Sequence, residues 1–184
     1  MHEIRPTGKQ IIRDQTIVSD DWNILRLTEG ESAEAVTVAG GKWIVPLKVW
    51  QAQQLALEAR AASGELGLWL ASDEQAEALR GTVHKFPVIA IEFPKFSDGR
   101  GFSIAYNLRA RLGFEGELRA FGDVLRDQMF YMQRVGFNAF EPRADRNIAD
   151  ALKGLFDFSI GYQASLDQKF PLFRRVQRVS MEAR

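Results

Sequence analysis

The sequence predicts a single α/β domain with a mainly parallel sheet built of successive βα units. Three observations predict it. From Trp43 onward, apolar runs of strand length alternate with alanine- and leucine-rich runs of helix length. The run "VIAIEF", Val88 to Phe93, is apolar and β-branched without alternation, which suits a strand covered on both faces. Two consecutive units also repeat one another. Phe96-x-Asp98 leads to Arg111-x-Gly113-Phe114, and Phe121-x-Asp123 leads to Arg134-x-Gly136-Phe137. In each, Asp is expected to cap a helix start and Gly to supply the left-handed residue that ends it. Right-handed crossovers then give either an open sheet with helices on both faces or, as the alternative, a partial (β/α) barrel. The open sheet is preferred, because a full eightfold barrel needs more strands than the chain displays.

Taken in order, residues 1–42 read as an N-terminal β lead-in or hairpin arm, and residues 43–184 as the α/β domain. "QTIVSDDWNILRLTEG" mixes short apolar pieces with turn residues and charges, and Gly40-Gly41 marks a turn. "WIVPLKVW" is a strand closed by Pro46. "VWQAQQLALEARAAS" is a helix ending at Ser63-Gly64. "LGLWLA" is a short buried strand, and Ser72 with Gln75 fits a capping box opening "DEQAEALR". Strands 88–93 and 118–122 belong at the centre of the sheet. Helices are expected over 99–112, 123–135 and 145–156, with a strand in "FNAFEP" and a last one in "FSIGYQ".

Composition narrows the chemistry. Lys+Arg and Asp+Glu both number 24, so the formal net charge is zero, which argues against a nucleic-acid partner. Without cysteine there is no disulfide, thiolate nucleophile or thiolate metal site. Two histidines, His2 and His84, are too few for a histidine metal site, so no metal and no cofactor are expected. The N-terminus lacks an apolar secretory core and no run reaches membrane-spanning length, so a cytoplasmic protein with no membrane partner is the expectation.

In both architectures ligands bind at the carboxyl ends of strands. Those ends hold Ser72-Asp73, Glu92, Lys95, Asp98, Arg100, Asp123, Glu141 and Arg143. "DGRGFS", Asp98 to Ser103, reads in two ways. It is a turn that starts a helix, or it is a backbone cradle in which Gly99 and Gly101 admit an anion and Arg100 binds it. The spacing is that of neither a dinucleotide fingerprint nor a Walker loop. Arg109, Arg119, Arg126 and Arg134 add cations in the same stretch, and Arg119 sits in the otherwise apolar "ELRAFG". A charge there needs solvent, an edge or a partner. Asp123, Asp127 and Glu141 are possible partners or acid–base groups.

The run "FSDGRGFSIAYNLRARLGFEGELRAFGDVLRDQMFYMQRVGFNAFE" resembles the signature of a bacterial family of unknown function. Its members are described, without a demonstrated reaction, as oxidoreductases of sulfite reduction. The resemblance rests on Asp98 to Ser103, Leu108-Arg109, Gly116 to Ala120, Gly122-Asp123, Asp127-Gln128, and Arg134 with Gly136-Phe137. Such genes usually lie beside those for assimilatory sulfite reductase. The resemblance therefore implies an accessory protein that acts with the sulfite reductase haemoprotein. The alternative is a small enzyme acting on a sulfur oxoanion at the arginine-rich strand ends. It gives no catalytic residues. The anion- or partner-binding candidates are Asp98, Gly99, Arg100, Gly101, Ser103, Arg109, Arg119, Asp123, Asp127 and Arg134.

Overall fold

The computed structural model describes residues 9–175, and its sheet follows the chain strand by strand. The strands are β1 (Gln10–Arg13), β2 (Thr16–Ser19), β3 (Asn23–Ile24), β4 (Trp43–Pro46), β5 (Leu66–Leu70), β6 (Val88–Phe93), β7 (Glu117–Gly122) and β8 (Ala139–Phe140). Their order in the sheet is β2-β1-β8-β7-β6-β5-β4-β3. From β3 to β8 each strand is parallel to the next one in the chain. β1 lies antiparallel to β8, and β2 antiparallel to β1. The β1–β2 hairpin turns at Asp14 and Gln15, with φ of 48° and 63°. Two successive left-handed residues are the geometry that matches the twist of a tight hairpin.

The sheet is mainly parallel, with β6 and β7 at its centre as the sequence predicts. The preferred open sheet with helices on both faces gives way to the alternative, a curled half-barrel. The reason is the strand order. Every crossover from β3 to β8 steps one place in the same direction, so right-handed connections leave their helices on one face. On that outer face Ile89, Ile91 and Phe93 of β6 pack with residues of α1 (Leu47–Ala62), α2 (Arg100–Ala110) and α3 (Arg126–Arg134). On the concave face Val88 and Ala90 of the same strand join Trp22, Ile44, Trp69 and Phe121. Each fully buried Leu, Ile or Phe contributes about 1.5–3 kcal/mol.

Several boundaries differ from expectation. α2 starts after Gly99, and Asp98 accepts from the Arg100 amide one step outside the cap position. The helix expected from Asp123 starts at Arg126, so Asp123 is not an N-cap and its carboxylate bonds elsewhere. The capping box at Ser72 and Gln75 does not form; the segment is a short 3-10 turn over Ala76–Leu79, and Ser72 bonds to Asp98 instead. α4 (Ile148–Lys153) is capped by Asn147, whose side chain accepts from the amides of Ala149 and Asp150. "FSIGYQ" is irregular rather than a strand, and the short α5 (Leu172–Arg175) follows. Gly113 and Gly136 both end their helices with positive φ, at 67° and 110°, as read. Among the described residues no helix is long and apolar enough to cross a membrane.

Candidate functional site

The concave face is filled by the N-terminal segment. β2 and β3 are the two edge strands of the sheet, yet only Asp20, Asp21 and Trp22 separate them in the chain. These residues form a strap across the hollow, and the buried Trp22 packs on Ile44, Trp69 and Phe121. The Trp69 indole N–H donates to the Leu25 carbonyl at 2.8 Å and fastens the strap's far end.

Below the strap lies a buried ionic network. Arg119 pairs across β6–β7 with Ala90 and so faces the concave side. Its side chain is fully buried. Nη1 and Nη2 donate to the two oxygens of Asp20 at 2.9 and 3.0 Å, and Nε donates to Glu117 at 2.7 Å. Burial opposes this charge, but Glu117 and Asp20 outweigh it and hold the guanidinium pKa above its ordinary value. Lys9 bonds Asp20 at 3.3 Å and Glu141 at 2.5 Å, and Arg13 reaches Glu117 at 3.4 Å.

Above the network, at the carboxyl ends of β7 and β8, a cavity of about 250 Å³ opens beside the strap. Trp22, Phe121 and Gly122 form part of its wall, with Lys9, Arg26, Glu141 and Arg143 as its charged groups. Arg26 lies 5.3 Å from the Phe121 ring centroid and 5.9 Å from that of Trp69, and donates to Glu92 at 2.6 Å. Arg143 is gripped by Asp145 and Asp123, which raise its pKa further. The arrangement can hold a small polar or anionic group. Among the described residues there is no group of three or more His, Asp or Glu side chains placed to hold a metal ion.

The residues singled out in the sequence serve largely as fasteners. Arg100 and Asp98 meet in a bidentate pair, and both bond Ser72 at the end of β5, at 2.8 Å each. The Arg100 and Ser72 bonds hold the Asp98 carboxyl well below the usual carboxylate range. Gly101 packs α2 onto β6; a Cβ there would stand 2.8 Å from Phe93. Gly99 has no such neighbour, its nearest being Phe102 at 3.8 Å. Arg109 donates to the carbonyls of Gly136, Phe114 and Gly116 and to the Asn138 side chain, and burial lowers its pKa. Asp123 accepts from the Phe96 amide and from Arg143. Arg134 ties α3 to Gln163 and Asp167. Ser103 and Asp127 are exposed.

Arg100 and Arg119, two of the anion-binding candidates, therefore share no partner. One sits at the start of an outer helix with Asp98, the other in the concave network with Asp20. Of the residues at the mouth, Glu92, Glu141 and Arg143 were legible as strand ends. Lys9, Asp20, Trp22 and Arg26 were not, because they come from the lead-in. The one available signal was an Asp-Asp-Trp sequence breaking an apolar stretch.

A family model described as a bacterial protein of unknown function (DUF934) matches residues 67–173. The matched span takes in β6, β7, β8 and the fastener residues from Ser72 to Asp167, and it excludes the strap. No curated protein and no solved structure matches the chain.

Proposed function

We propose, from the premise that the chain belongs to the bacterial DUF934 family, that it is an accessory protein of assimilatory sulfite reduction acting with the sulfite reductase haemoprotein. The link to sulfur comes from the resemblance carried by "DGRGFS" and the motifs after it. The choice of an accessory role over an enzymatic one rests on a single observation. Phe156, Phe158, Ile160, Tyr162, Phe170 and Phe173 are each more than half exposed, and all follow α4 in the chain. Large exposed apolar side chains this concentrated along the chain favour a protein-binding surface. Arg100 and Arg119, by contrast, are committed to carboxylates of their own chain, which weakens the case for a reaction at those positions.

The test is capture from cells growing on sulfate as sole sulfur source. The tagged protein should retain the reductase haemoprotein, and an Ile160→Ser/Tyr162→Ser variant, present at equal level, should lose it. Both replaced side chains are exposed, so folding should be little affected. A reductase absent from the wild-type eluate, or equally abundant in both, would overturn the proposal.

A further inference from the structure

We propose that the cavity at the mouth of the half-barrel binds a small doubly charged oxoanion, with Arg26 and Lys9 as donors and Arg143 as a fixed neighbouring cation. The chain as a whole carries no net charge, yet the cavity wall holds three cations and one carboxylate. Of the acids that anchor these cations, Glu92, Asp20, Asp123 and Asp145 are not part of the wall, and Glu141, the second partner of Lys9, is its one carboxylate. The surface offered to a ligand is thus cationic, while its side chains are already held in place.

Arg26 carries the argument. Its guanidinium rests on Phe121 and Trp69 and spends one donor, Nη1, on Glu92. Nε and Nη2 have no bond to a described residue, so one edge of the fork remains for an anion. A guanidinium fixed by stacking and one ion pair loses little freedom on binding. Lys9, the residue before β1, holds its ammonium group between Asp20 and Glu141. A water molecule claims about 30 Å³. A cavity of about 250 Å³ therefore has room for a tetrahedral or pyramidal oxoanion with several waters. This site is independent of reductase capture: either can fail while the other holds.

Tryptophan fluorescence reads the site directly. Trp22 and Trp43 line the cavity and Trp69 lies under Arg26, which is three of the four tryptophans in the chain. Sulfate, sulfite and phosphate are titrated separately, against chloride at matched ionic strength to remove screening effects. At least one oxoanion should give a saturable change at millimolar concentration or below, and chloride none. Arg26→Gln should weaken that binding about tenfold, the loss expected for one charged hydrogen bond. Arg100→Gln, a cation of the outer motif, should leave it unchanged. Because Arg26→Gln strips Glu92 of its partner, an Arg26→Gln/Glu92→Gln variant is measured beside it and decides the matter if the single variant does not fold. A response equal to that of chloride, an affinity indifferent to Arg26, or binding of malonate with none of the three oxoanions would each overturn the proposal.

Discussion

Arg119 and Asp20 lie 99 positions apart in the chain and meet through two hydrogen bonds of 2.9 and 3.0 Å, with both side chains withdrawn from solvent. The pair joins the central strand β7 to the strap that fills the half-barrel. It makes the N-terminal segment part of the interior and not an appendage to it.

Removing Arg119 should be among the costliest single changes in this chain. Arg119→Met leaves Asp20 and Glu117 buried without their main cation, a situation that costs about 3–5 kcal/mol. Asp20→Asn should cost less, since Glu117 still faces the guanidinium. Urea unfolding of both variants and of the double variant gives the coupling between them. Purely additive effects would show that the pair does not hold the strap.

The Asp98 clamp predicts a pH dependence. Its carboxyl is held below the ordinary range by Arg100 and Ser72, so its folded pKa is depressed. A depressed carboxyl contributes stability that is present above the unfolded pKa and is lost as pH falls. The melting midpoint of Asp98→Asn should therefore lie below that of wild type at pH 7. The gap should close below about pH 4, where the unfolded carboxyl protonates. A gap of constant size across that range would exclude the clamp as its source.

The two glycines of "DGRG" should separate. Gly99→Ala meets only Phe102 at 3.8 Å and should stay within about 0.5 kcal/mol of wild type. Gly101→Ala places a methyl 2.8 Å from Phe93 and 3.1 Å from Ile91, in the contact between α2 and β6, and should cost about 1–3 kcal/mol. Equal stability of the two variants would mean that α2 shifts freely over the sheet.

At the end of β7, Gly122 has a φ of 99° and its missing Cβ would fall on the Phe93 carbonyl. Gly122→Ala combines backbone strain with a collision against main chain, and should cost more than Gly101→Ala. Comparing their denaturation midpoints checks the order.

Local sequence determined the units. Apolar runs and helix-ending glycines depend on neighbours within a turn or a strand. β5, β6, β7, the ends at Gly113 and Gly136 and the stop at Pro46 were therefore all legible. Only the tertiary structure decided what those units enclose. "VIAIEF" reads the same in an open sheet and in a half-barrel, because both cover its two faces. Here the second cover is Trp22 and the strap, not a layer of helices. The same limit applies to charge. Asp98 looked like a cap and Arg100 like an anion donor, and their partner Ser72 lies 26 and 28 residues away. A side chain's partner is fixed by which strands the crossovers bring together, and that direction is written in packing over the whole sheet rather than in any local pattern.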